Sequence, residues 1–275
     1  MTSSFARNLL SRVVTALLVL PLLLAAFFLG PMALGAGIVA LASALGLVEF
    51  FAFLRARGLV PMRLSGFVLA AVMFTEIAFP GWQSAPAWPL AALLVLIATL
   101  SRGSDFDKTV PAAAATLLGA VYLGALGGTI AGLVTLAPAG AGGWRIVLLL
   151  AIVMVSDTFA FFVGHAWGRR RLAPSVSPGK TVEGAFGGLV GGVVAALGVR
   201  YLGLPTLPVS HAVGLGVLVA ALGIVGDLDE SLLKRWAGVK DSGALFPGHG
   251  GMLDRLDSLL FGAPVLYYYF LFVRA

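Results

Sequence analysis

The chain contains no cysteine, which excludes disulfides, thiolate metal ligands and a cysteine nucleophile. Charge is nearly as scarce: Asp, Glu, Lys and Arg make up 11% of the 275 residues, hydrophobic ones 60%, and the mean hydropathy is +1.03. No water-soluble domain is built from such a composition; it belongs to the polytopic membrane class. A net charge of +6 would suit nucleic acid in a soluble protein. Here, however, Lys and Arg stand in short clusters between apolar runs, as orientation signals do, so no nucleic-acid partner is expected. A Walker loop is missing too. The triplet Gly179-Lys180-Thr181 has Pro174 where that pattern needs glycine.

What is present is a series of apolar runs, at about 13–29, 32–54, 65–80, 87–100, 111–136, 145–166, 183–202, 211–233 and 255–273. They predict an all-α, polytopic integral membrane protein with about nine transmembrane helices. The first run follows Arg7 and Arg12 like a signal peptide, but no cleavage site and soluble domain come after it, so it reads as a retained helix. The third and fourth are short for a hydrocarbon core of roughly 30 Å and reach toward Trp82 and Trp88. When the loops are taken alternately, every Lys and Arg except Arg145, Arg200 and Arg274 falls on the N-terminal side of the membrane. That side is cytoplasmic by the positive-inside rule, which predicts a multi-pass protein of the cell's inner membrane with its polar clusters facing the cytosol. A single membrane domain over 1–275 is expected, with 1–140 as lipid-facing scaffold helices and 145–275 carrying the active site.

Acidic residues are few, and half of the 12 lie within residues 226–258. On a helix, Asp227, Glu230, Ser231 and Lys234 share one face at i, i+3, i+4 and i+7, while Asp229 points away. Gly238, Gly243, Pro247, Gly248, Gly250 and Gly251 then impose a loop carrying Lys240, Asp241 and His249. Asp254 and Asp257 open the next helix. By helical rise, Asp227 lies roughly 24 Å along its span from His211, at the boundary where Asp254 begins the last span, so the two can meet. Asp157, roughly 18 Å beyond Arg145, is expected inside the membrane with a partner. Carboxylates on successive helices joined by a glycine-rich loop suit Mg²⁺, or another divalent cation, together with phosphate. The expected metal ligands are Asp227, Asp254 and Asp157.

A second polar region, 156–188, joins Asp157 to a loop with Arg169, Arg170, Arg171, Ser177, Lys180, Thr181 and Glu183. Lys180 as a point charge and Thr181 at a helix start could hold a triphosphate. Gly184, Gly187, Gly188, Gly191 and Gly192 let helices approach closely, within the protomer or in a homodimer contact. His165 and His211 read as interfacial; Glu49 can reach the cytoplasmic interface, and Glu76 has no assigned role.

The run Ser231, Lys234-Arg235, Lys240-Asp241, Phe246-Pro247, His249-Gly250-Gly251, Asp254-Arg255 and Leu256-Asp257 resembles the signature of the phosphatidate cytidylyltransferases, or CDP-diacylglycerol synthases. The Ser-Asp-Thr and Ser-Pro-x-Lys-Thr-x-Glu-Gly elements of the second region are similar to the same family. The resemblance covers roughly the C-terminal half. It implies transfer of CMP from CTP to phosphatidic acid in phospholipid biosynthesis, with the lipid phosphate attacking the α-phosphorus in line. On the matching positions, catalysis falls to Asp227, Lys234, Arg235, Lys240, Asp241, Arg255 and Asp257, and substrate binding to Ser177, Lys180, Thr181, Glu183, Ser231, His249, Gly250 and Gly251. The expected partners are CTP, phosphatidic acid and membrane lipids. A secondary transporter would need matched broken spans in both halves, whereas the polar residues gather in the C-terminal half. The spaced aspartates of a CDP-alcohol phosphotransferase are absent.

Overall fold

The computed structural model describes residues 21–82, 85–102, 105–136, 138, 140–243 and 250–273. A helical stretch at 21–29 leads into α1 (Met32–Ala56), α2 (Arg63–Ala78), α3 (Trp88–Leu100) and α4 (Phe106–Gly119). α4 runs on through a π-helical turn, Ala120–Ala125, into α5 (Leu126–Thr135). After α6 (Gly142–Trp167) come β1 (Arg171–Ala173) and β2 (Ser177–Thr181), followed by α7 (Val182–Gly203), α8 (Val209–Ala237) and α9 (Leu253–Val273).

These helices are apolar on all sides, as lipid-embedded helices are. Leu90, Ile97, Phe161 and Phe186 point outward with most of their surface exposed. Among the described residues, six helices are long and apolar enough to cross a membrane: α1, the continuous rod Phe106–Thr135, α6, α7, α8 and α9. They realise the expected spans at 32–54, 111–136, 145–166, 183–202, 211–233 and 255–273. The runs at 65–80 and 87–100 form α2 and α3, of 16 and 13 residues, and the run at 13–29 lies largely outside the described residues. Nine crossings is therefore more than helix length alone supports. The chain is an all-α integral membrane protein with one addition, the antiparallel hairpin β1–β2, which pairs Arg171 with Thr181 and Ala173 with Ser177. Pro174, Pro178 and Gly179 deny this segment a helix, and the strands supply the backbone partners instead.

Burying leucine gains little between helices in lipid, which is equally apolar, so close packing and polar bridges must hold the bundle together. α6 lies along α7, α7 along α8 and α8 along α9. The glycine face of α7 makes these approaches within the protomer. A Cβ on Gly192 would stand 2.7 Å from the Gly216 carbonyl oxygen, and one on Gly188 would stand 2.9 Å from Ser156 Oγ. In the N-terminal half, Leu47, Phe50, Phe51 and Leu54 of α1 are wholly buried, and α1 packs on α5 and α9.

Candidate active site

α8 begins after Pro208 and ends at Gly238, whose φ of 74° is the left-handed conformation that terminates a helix. On its last turns the expected face is present. Ser231 Oγ donates to Asp227 Oδ1 at 3.4 Å, and Lys234 pairs with Glu230 one turn earlier.

Two separate ionic groups form along this face. In the first, Lys180 of β2 reaches across to Asp227, with Nζ 2.7 Å from Oδ2, and both side chains are partly accessible. Nζ also lies 3.5 Å from the Ile224 carbonyl oxygen. The hairpin that presents Lys180 is fixed at its root. Thr181 caps α7 by accepting from the Gly184 amide at 3.0 Å, and Glu183 accepts from the Arg169 and Arg170 amides at 3.0 and 3.2 Å. Arg235 Nε donates to the Val176 carbonyl at 3.4 Å, tying the hairpin tip to the end of α8. Asp157 and Asp257 lie within electrostatic reach of Asp227, and Lys180 acts on Asp157 as well. Asp157 is exposed on the surface of α6.

The second group is tightly enclosed. Lys234 sits between Glu230, which is 1% exposed, and Asp254, with Nζ 2.7 Å from Asp254 Oδ1. Asp254 Oδ2 accepts from the Gly251 amide at 2.8 Å and the Ser242 amide at 3.0 Å. Ser242 Oγ lies 2.8 Å from both Asp254 Oδ2 and Glu49 Oε2, so its single proton bridges two carboxylates. Glu49 in turn accepts from the amides of Met252 at 2.9 Å and Leu253 at 2.8 Å. The Gly-Gly-Met-Leu start of α9 offers no side-chain cap of its own, and a carboxylate from α1 satisfies its orphan amides while meeting the positive end of the helix dipole. Asp227 and Asp254 are thus bound to different lysines, and both oxygens of Asp254 are committed to protein donors. Among the described residues no three His, Asp or Glu side chains converge as a metal-holding group.

Of the other expected site residues, Lys240 and Asp241 are exposed on the loop after α8, Arg255 is exposed on the first turn of α9, and Ser177 is half-buried in β2. Gly250 has φ 78°, a conformation suited to glycine. His249 lies outside the described residues. His211 Nδ1 is 2.8 Å from the Tyr269 hydroxyl, and His165 stacks on Phe161.

Four residues escaped sequence reasoning. Glu49 and Ser242 clamp the start of α9, and the signal was there in a helix N-terminus without a cap beside a lone acid. Glu76 does the same for α3, accepting from the Ala87 and Trp88 amides. Tyr122 left no signal. Carried on the π-helical turn, it is 5% exposed, packs edge-on against Phe261 and Phe50, and lies within electrostatic reach of Asp229, Asp257, Glu230 and Asp227. The Tyr122 hydroxyl has no hydrogen-bond partner among the described residues.

Lysine and arginine around a cluster of carboxylates can neutralise and orient a polyphosphate. The profile of the cytidylyltransferase family matches residues 10–273. A phosphatidate cytidylyltransferase of Synechocystis sp. is 33% identical over 94% of this chain and 95% of its own length. Those of Haemophilus influenzae and Bacillus subtilis are 42% and 44% identical over shorter stretches, 48% and 42% of this chain and 47% and 44% of theirs.

Proposed function

The chain belongs to the cytidylyltransferase family, and on that premise we propose that it transfers the CMP group of CTP to phosphatidic acid, giving CDP-diacylglycerol and pyrophosphate. The observation that carries the reading at the level of residues is the Lys180–Asp227 pair, set in the field of Asp157 and Asp257 where α6, α8, α9 and β2 meet.

Hard oxygen donors are available in Asp227 and Asp157, with Asp257 beside them. Without a third converging ligand, the set fits a Mg²⁺-type cation bound by one or two carboxylates and completed by phosphate oxygens and water, not a protein-only cage. Asp227 and Asp157 would hold that cation. When bound it neutralises charge on the polyphosphate. Lys180 has a flexible stem, so its ammonium can leave Asp227 for a phosphate oxygen of CTP as the nucleotide enters. Arg235, Lys240 and Arg255 surround the triphosphate, with His249 of the loop before α9 as a further phosphate contact. Lys234 stays between Glu230 and Asp254 and keeps α8 and α9 in register. A phosphate oxygen of the lipid then attacks the α-phosphorus, the bond to the bridging oxygen of the β-phosphate breaks, and pyrophosphate leaves with that electron pair. The lipid phosphate is already ionised near neutral pH, so no protein base is required.

The distribution of Lys and Arg supports a cytoplasmic N-terminus and a cytosol-facing site in the cell's inner membrane, with α2, α3 and the run at 13–29 completing nine crossings. A homodimer would have to use faces other than the α7 glycine seam, which is filled within the protomer. The test is incubation of purified protein with labelled CTP, phosphatidic acid and Mg²⁺. Label is expected to enter the lipid phase in step with pyrophosphate release; pyrophosphate without labelled lipid would refute the transfer.

A further inference from the structure

Tyr122 stands on the π-helical turn, a wider turn of a kind that recurs at functional sites. Two rings hold its phenol in place. Phe261 of α9 meets it edge-on at 6.0 Å between centroids, and Phe50 of α1 does so at 6.3 Å. The side chain is 5% exposed, and its hydroxyl is buried with no hydrogen-bond partner among the described residues. A phenylalanine would fill the same cage without the cost of burying an unpaired hydroxyl, so packing does not account for the oxygen.

Acceptors are close by. Asp229, Asp257, Glu230 and Asp227 all lie within electrostatic reach of the phenol. Glu230 is already paired with Lys234, and Asp227 with Lys180 and Ser231, which leaves Asp229 and Asp257. The packing of α8 on α9 favours Asp257. It lies one turn before Phe261, on the face of α9 that meets the Tyr122 ring. A Cβ on Gly226 would stand 2.5 Å from the Asp257 carbonyl oxygen and 2.9 Å from Phe261 Cδ2. The turn of α8 beside Asp227 therefore presses on Asp257 and Phe261, and Phe261 presses on Tyr122. Asp229, two residues beyond Asp227, sits roughly 200° around α8 from it. The Asp257 carboxylate turns back on its own helix, where Oδ1 accepts from the Ser258 amide at 2.6 Å.

We propose that Tyr122 is a positioning residue of the transfer site: with substrates bound, its hydroxyl donates to the Asp257 carboxylate and fixes that carboxylate beside Asp227. The assignment rests on the transfer reading above and adds how the N-terminal helices act on the chemistry. The phenol is held by its cage, so Asp257 is the partner that turns. Once Lys180 swings from Asp227 to the nucleotide, Asp257 stands against like charges on Asp227 and Asp157. A fixed neutral donor then holds it without adding a cation that would compete for phosphate.

Tyr122→Phe tests it, since it keeps the ring and removes the donor. A lost hydrogen bond to a charged acceptor predicts a fall in kcat of about ten- to a hundred-fold. The apparent KM values for CTP and phosphatidic acid should each stay within about two-fold, because the hydroxyl touches neither substrate. The melting temperature should be equal or higher, because an unpaired buried hydroxyl is gone. Unchanged kcat, a loss confined to the KM of one substrate, or a lower melting temperature would overturn the proposal. Asp229→Asn identifies the acceptor: alone it should keep kcat within about two-fold, and adding Tyr122→Phe to it should cost the same factor as in the wild type. Disappearance of that cost would make Asp229 the partner and overturn the assignment to Asp257. Wild-type protein is assayed in parallel. No labelled lipid from it would sink the transfer reading itself, whereas an active wild type beside an equally active Tyr122→Phe would sink the positioning role alone.

Discussion

Asp227 and Asp254 look equivalent as residue types near one boundary, yet their surroundings assign them different work. Asp227 is partly accessible and held by one mobile lysine, while Asp254 is enclosed by Lys234, Ser242 and the Gly251 amide. Asp227→Asn should lower turnover by several orders of magnitude with the melting temperature nearly unchanged. Asp254→Asn should cost stability first, because it takes one of the two carboxylates that hold Lys234 and replaces an oxygen that accepts from the Gly251 and Ser242 amides. Detergent-solubilised melting curves alongside lipid-labelling rates separate the two; equal melting points would remove the distinction. For Lys180→Ala the lost contact is charge-assisted, about 1.5 to 3 kcal/mol, or roughly ten- to a hundred-fold in kcat/KM. Paired saturation curves should show the apparent KM for CTP rising more than that for phosphatidic acid. A shift confined to the lipid curve would move this loop to the headgroup.

Among elements, α9 is the one whose start is made by others. Glu49→Gln keeps the shape and an acceptor oxygen but removes the charge that faces the helix N-terminus, and a loss of about 1 kcal/mol is expected. Glu49→Ala should cost more, since the Met252 and Leu253 amides would then lack a partner. Thermal melts of the two variants check this, and an Ala variant as stable as Gln would argue against the cap. The helices themselves were legible in the chain, since α8, its stop at Gly238, the Asp227 to Lys234 face and the Thr181 cap follow from periodicity and local chemistry. The hairpin was not, because Pro and Gly announce only that a helix is absent. Nor was the pairing of Asp254 with Lys234 in place of a site shared with Asp227. That choice depends on the register of α9 against α8, and the clamp setting it comes from residue 49, about 200 positions away in the chain.

For the whole molecule, the decisive issue is which side of the membrane the site faces. With no native cysteine, single replacements give a clean readout. Lys240→Cys, on an exposed loop, should react with impermeant thiol reagents only when the cytoplasmic side is opened, and Thr206→Cys, exposed between α7 and α8, should react from outside. Reversed labelling would put the loop out of reach of CTP. The bond from Glu49 to the start of α9 has a further consequence, for how such a protein can be taken apart and recombined. The signature residues all lie in the second half, which invites grafting that half onto foreign N-terminal helices. A chimera whose donor lacks an acid at this point of its first long helix would deliver every signature residue and still misalign them. Restoring that single carboxylate should then recover more activity than any exchange within the signature itself.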